Sequence, residues 1–192
     1  NDDYPIDMSK HVRDPKIFKK NNYYYMVLGG RTSDNQGCVL LYKSKDLINF
    51  EYYNRIEVDD FGYMWECPDF FPLDGNWVLI LSPIEMKRQQ EKYWNLNSTV
   101  AFIGDMNWET GQFCVDSYDE IDGGLDFYAP QTCQGPNGER YMVAWMQMWQ
   151  RSIPSHDLGH GWAGSMTVPR KLVLKDGRLV QELPESVKDH FF

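Results

Sequence analysis

Short apolar runs rich in aromatic and β-branched residues alternate with polar turn pairs along most of this chain, a pattern that predicts strands almost throughout. Residues 24–28, 77–81 and 141–145 each follow a turn pair, respectively Asn21-Asn22, Asp74-Gly75 and Asn137-Gly138. Further strands are expected at residues 38–43, 49–53 and 99–103, with a turn at Glu109-Thr110-Gly111. Residues 171–174 and 178–180, joined through Lys175-Asp176-Gly177, read as a hairpin, because Asp-Gly between alternating runs matches the geometry of a tight two-strand turn. Residues 86–93 alone look helical or loop-like, and with no apolar face of useful length they are expected to be an exposed excursion.

The runs are organised into repeats. Arg13-Asp14-Pro15, Glu66-Cys67-Pro68 and Tyr128-Ala129-Pro130 each set a polar group one or two places before a proline that is expected to open a strand, and the prolines stand 53 and 62 residues apart. A period of about 40 to 60 residues built of strands and turns points to an all-β propeller, with small antiparallel sheets arranged round a central channel. Equivalent positions at the start of each repeat then converge near the axis, so Asp14 and Glu66 would face one site. An acid before a proline is also common in ordinary turns; the shared register is what singles these two out.

Composition narrows the functional classes. At 192 residues the chain is long enough to bury a core as one domain. Aromatic residues make up 15%, with 7 Trp and 12 Tyr, which suits half-buried strands and equally suits stacking on sugar rings. A net charge of −9 without a Lys or Arg cluster argues against nucleic-acid binding. No apolar run approaches the roughly 18 residues of a membrane helix. Cys38, Cys67, Cys114 and Cys133 form no C-x-x-C pair, which points to reduced thiols, a cytoplasmic protein and no zinc site. His156 and His160 are four apart, yet Pro154 and Gly159 argue against a helix there, so neither a metal nor any other cofactor is expected. The chain begins with Asn rather than Met, so its natural start is expected upstream.

These motifs carry a family resemblance. Arg13-Asp14-Pro15, Trp65-Glu66-Cys67-Pro68-Asp69 and Asp126-Phe127-Tyr128-Ala129-Pro130-Gln131-Thr132 resemble three successive signatures of glycoside hydrolase family 32, the invertase and sucrose-6-phosphate hydrolase group. The likeness extends from about residue 11 to residue 184. It implies a five-bladed propeller that hydrolyses β-fructofuranosides with retention, using a carboxylate nucleophile and a second carboxyl as acid then base, about 5 to 5.5 Å apart. By motif, Glu66 would be the general acid/base and Asp14 the transition-state stabiliser. Arg13 would fix the Asp14 carboxylate and meet substrate oxygens. Cys67, Asp122 and Trp145 would line the sugar site. Flanking Trp65 and Cys67 are expected to desolvate Glu66 and favour its acid form.

The family's nucleophile is an Asp in a Trp-Met-Asn-Asp-Pro-Asn-Gly type motif. Nothing here matches it; Asn1-Asp2-Asp3-Tyr4-Pro5 is too degenerate and too near Arg13. At some 55 residues per blade the chain holds about three and a half blades. Residues 1–192 are therefore expected to be a partial propeller catalytic domain, lacking the first blade and the family's C-terminal β-sandwich, inactive alone and prone to self-association through open edges. A small-molecule fructoside is the expected partner: sucrose or sucrose 6-phosphate, with levan or inulin as alternatives, or a fructoside bound without cleavage. A phosphate would need a cation, and His11, Lys87, Arg88, Lys92 and Arg151 are the candidates.

Overall fold

The computed structural model describes residues 4–191. Asn1, Asp2 and Asp3, set aside above as a nucleophile motif, lie outside the described residues. Twelve strands are described: β1 (Met8–Lys20), β2 (Tyr23–Thr32), β3 (Gly37–Ser44), β4 (Glu51–Glu57), β5 (Met64–Leu73), β6 (Asn76–Ile84), β7 (Val100–Asn107), β8 (Gln112–Glu120), β9 (Tyr128–Gln134), β10 (Arg140–Trp145), β11 (Arg170–Lys175) and β12 (Arg178–Glu182). They form three four-stranded antiparallel sheets, β1 to β4, β5 to β8 and β9 to β12, each following chain order. The first strands of the three sheets lie side by side, β1 against β5 and β5 against β9, so the sheets stand like propeller blades with these strands innermost. The described residues form three blades, within the three to four expected from length. The remaining length goes into the 85–99 and 146–169 connections and two helices, α1 (Pro154–Asp157) and α2 (Glu185–Phe191). Among the described residues no helix is long and apolar enough to cross a membrane.

The middle blade shows why continuous apolar runs, rather than strict alternation, mark these strands. Phe70, Leu79, Leu81 and Phe102 pack toward the first blade. Their alternate neighbours Phe71, Val78, Ile80 and Ile103 pack toward the third. Both faces are covered, so both sets must be apolar. Each buried side chain of this size contributes roughly 1.5 to 3 kcal/mol. The first seam is aromatic: Trp108 meets Tyr25 at 4.6 Å and Trp77 at 4.7 Å between ring centres, nearly edge to face, a preferred ring geometry.

All three inner strands carry the same irregularity. Between Arg13 and Lys16, Glu66 and Asp69, and Tyr128 and Gln131, the inner strand has one residue more than its partner, a β-bulge each time. The residue before each proline is left-handed: Asp14 at φ 59°, Cys67 at 50° and Ala129 at 51°. The prolines therefore lie inside strands that have already begun, not at their openings.

Other expectations also change. β8 was not anticipated, because it offers no apolar run: Phe113 is its one buried residue, and Asp116, Ser117, Asp119 and Glu120 are polar. A one-turn helix does form at Pro154, since proline is tolerated in a first helical turn, and Gly159 at φ 70° follows its end. His156 lies in that turn and His160 beyond it. Residues 86–93 are no free excursion, because Met86 and Tyr93 are both buried in the core.

Candidate active site

The repeated bulge places three non-homologous side chains at one register, each the residue before the left-handed position: Arg13 on β1, Glu66 on β5 and Tyr128 on β9. They meet. Arg13 Nε and Nη2 both lie 2.8 Å from Glu66 Oε1, and the Tyr128 hydroxyl donates to Glu66 Oε2 at 2.5 Å. Glu66 is thus held at both oxygens, with its side chain 15% exposed beside an Arg13 that is 36% exposed, so the carboxyl borders solvent.

The left-handed positions form a second layer. Asp14 Oδ2 accepts the Cys67 amide N–H at 3.0 Å, and the Cys67 sulfur lies 3.6 Å from the same oxygen. Gln131 Nε2 donates to the Cys67 carbonyl at 3.3 Å. Burial, reinforced by the charges of Asp14 and Glu66, pushes the Cys67 thiol up to about 12, so it stays a protonated donor. Burial, and then the bond to the Glu66 carboxylate, hold the Tyr128 phenol well above its ordinary range.

Arg13, Asp14, Glu66 and Cys67 are therefore brought together, with two differences from expectation. Arg13 grips Glu66 rather than Asp14, because the bulge turns these chain neighbours apart and the partner lies across the blade boundary. Trp65 does not cover Glu66. Strand alternation sends it to the opposite face, where it is fully buried and its ring nitrogen donates to the Phe61 carbonyl. Gly29 and Gly37 make room for this: a Cβ on Gly29 would lie 2.2 Å from the Trp65 carbonyl, and one on Gly37 2.2 Å from the Trp65 ring. Tyr128 was missed, although its register with Arg13 and Glu66, two places before a proline, is readable in the repeats.

Trp145 pairs across the sheet with Tyr128 and packs edge to face on Trp149 at 5.1 Å. Asp122 is held elsewhere: Arg170 Nη1 lies 2.6 Å from its Oδ2 and the Gly124 amide 2.8 Å from its Oδ1, and it makes no hydrogen bond to Arg13, Asp14 or Glu66. Since Glu66 pairs with Ser82 and Tyr128 with Trp145, the 85–99 and 146–169 connections leave the blades at the end where the site lies. They carry the exposed Trp94, Trp149 and Trp162. Among the phosphate candidates, Lys87, Lys92 and Arg151 are paired with Asp60, Asp119 and Asp126. Arg88 lies over the Trp94 ring at 4.9 Å. No group of three or more His, Cys, Asp or Glu among the described residues is placed to hold a metal ion.

Comparison with known proteins gives a consistent result. Residues 2–183 match the glycosyl hydrolases family 32 N-terminal domain. The chain is 40% identical over 185 residues to a sucrose-6-phosphate hydrolase of Vibrio alginolyticus, covering 92% of this chain and 37% of that one. It is 37% identical over 188 residues to a raffinose invertase of Escherichia coli, covering 96% and 39%. Among solved structures it is similar to a Bombyx mori family 32 β-fructofuranosidase, with a TM-score of 0.88 and 38% identity over 97% of this chain and 40% of that one. The chain thus spans about two fifths of the length of the relatives it matches.

Proposed function

The chain belongs to glycosyl hydrolase family 32, and on that premise we propose that it supplies the acid/base half of a retaining β-fructofuranosidase acting on sucrose or sucrose 6-phosphate. The observation that carries this reading is Glu66, held at one oxygen by Arg13 and at the other by Tyr128. In the first step a carboxylate nucleophile attacks C2 of the fructosyl ring. The C2–O bond breaks and Glu66 gives its proton to the departing glucosyl oxygen. In the second step Glu66, now a carboxylate, takes a proton from water, the water oxygen bonds to C2, and the nucleophile leaves with its electron pair. The nucleophile itself has no motif match in these residues, so turnover is assigned to the full-length protein.

Asp14, whose carboxylate is fixed by the Cys67 amide, is proposed to accept fructosyl hydroxyls as positive charge develops at C2. Cys67 holds Asp14 in place, and Trp145 is proposed to border the sugar beside Tyr128. Asp122 is assigned a supporting position in the wall behind, through Arg170. Arg88, stacked on Trp94 and without a carboxylate partner among the described residues, unlike Lys87 and Lys92, supports a phosphorylated glucosyl group over the neutral sugar. Four unpaired thiols support a cytoplasmic setting. The open blade edges support self-association of the isolated chain, which light scattering would show as a mass above that of the monomer at high concentration and a single monomeric species would refute.

The test of the function is hydrolysis of sucrose and sucrose 6-phosphate by the full-length protein. Turnover, with the phosphorylated sugar preferred and Arg88→Ala abolishing only the preference, is the expected result. A pure, folded full-length protein that cleaves neither sugar would overturn the reading.

A further inference from the structure

Beneath the Arg13, Glu66 and Tyr128 contacts lies an ion pair to which the chemistry above assigns no part. Lys16 Nζ sits 2.5 Å from Asp69 Oδ2 and 2.7 Å from the Thr132 carbonyl, while the Thr132 amide donates to the same Asp69 oxygen at 2.7 Å. One carboxylate oxygen thereby joins all three inner strands: the cation comes from β1, the acid from β5 and the backbone groups from β9. Asp69 is 1% exposed and the Lys16 side chain 27%. Both residues occupy the same place in their bulges, two beyond the left-handed position. Gln131 occupies that place on β9, and its amide also reaches back to the preceding blade, at the Cys67 carbonyl.

A buried ion pair is a poor source of stability, since apolar residues of equal volume commonly do as well or better. What it supplies is direction, because a single oxygen must lie where both donors reach it. The bulges interrupt the regular pairing of β1, β5 and β9, and Asp14 and Glu66 lie at them. We infer that Lys16 and Asp69 are a positioning pair, pinning the three inner strands so as to set the separation of Asp14 and Glu66.

This inference rests on the assignment of Asp14 and Glu66 to fructoside chemistry, and its test includes a readout that needs no sugar. The half-buried Cys67 thiol of β5 packs 3.6 Å from Asp14 Oδ2 of β1, so its alkylation by iodoacetamide, followed by mass spectrometry, reports their spacing; the fully buried Cys38 reports an intact fold. In the full-length protein, Asp69→Ala is expected to speed Cys67 alkylation about tenfold by easing local opening. It should lower kcat about 100-fold, the scale of a 1 Å misplacement, with KM changed far less. Asp69→Asn, whose amide oxygen still accepts from Lys16 and Thr132, should return both readouts most of the way. If Asp69→Ala does not fold, Lys16→Gln and Asp69→Asn make the same comparison, with the larger effect expected for Lys16→Gln.

Wild-type Cys67 protection and wild-type kcat in folded Asp69→Ala, or in Lys16→Gln in its place, with only a lower Tm, would overturn the positioning role. A wild-type protein that protects Cys67 yet cleaves no fructoside would refute the fructosidase reading, and the thiol rates would still decide the pairing.

Discussion

Arg13 approaches Glu66 through two nitrogens of its planar fork, a geometry that a lysine ammonium cannot reproduce. A hydrogen bond to a charged group contributes roughly 1.5 to 3 kcal/mol. Arg13→Lys in the full-length protein is therefore expected to lower kcat/KM roughly 10- to 150-fold; an unchanged kcat/KM would show that the grip on Glu66 is idle. The thiols make a prediction about pH. Burial raises Cys38 and Cys67 from an ordinary 9.0 to about 12, so between these values the unfolded chain has released protons that the folded protein keeps. Their contribution is complete below pH 9 and is lost as pH rises toward 12, by at most about 1.4 kcal/mol per unit for each thiol. Urea midpoints should fall across that window, and less steeply in Cys67→Ala; equal slopes would contradict this. At this scale the motifs revealed Arg13, Asp14, Glu66 and Cys67 as neighbours. Arg13's partner was misjudged because adjacency in sequence was taken for adjacency in space, whereas the contact spans 53 residues.

At the scale of elements, the inner strands accept strain to hold the site. Left-handed backbone at Asp14, Cys67 and Ala129 costs on the order of 1 to 3 kcal/mol at each, and it recurs at the same place in every blade because the bulge aims the preceding side chain at its neighbour. Gly29 on β2 is the companion device. With no Cβ it lets the first blade approach the β5 backbone at Trp65 and Glu66, where a Cβ would lie 2.2 Å from an oxygen. Gly29→Ala must push β5 away, and a shift near 1 Å predicts a loss of about 100-fold in kcat. Wild-type kcat in a folded Gly29→Ala protein would show that the site tolerates the displacement. The strands themselves were largely legible, since the apolar runs and Asp-Gly turns follow from local chemistry. β8 escaped because it offers no apolar run, and the bulges escaped because a register shift is a property of two strands together.

At the scale of the whole molecule, the repeat spacing forecast both the propeller and the convergence of distant motifs, because blades that share a first-strand geometry must bring equivalent positions to one axis. It could not forecast which equivalent side chains touch, or that the connections at 85–99 and 146–169 would take up the length of half a blade. The central claim is that Glu66 protonates the departing sugar, and it is tested most directly with Glu66→Gln in the full-length protein, given sucrose and, separately, a β-fructofuranoside with a leaving group that needs no proton, azide being present in place of the general base. Sucrose cleavage should fall roughly 100- to 10,000-fold. The activated substrate should still be consumed at a rate near wild type, yielding β-fructosyl azide with retained configuration. Loss of both reactions to the same extent, or sucrose turnover unaffected by the substitution, would contradict the role of Glu66.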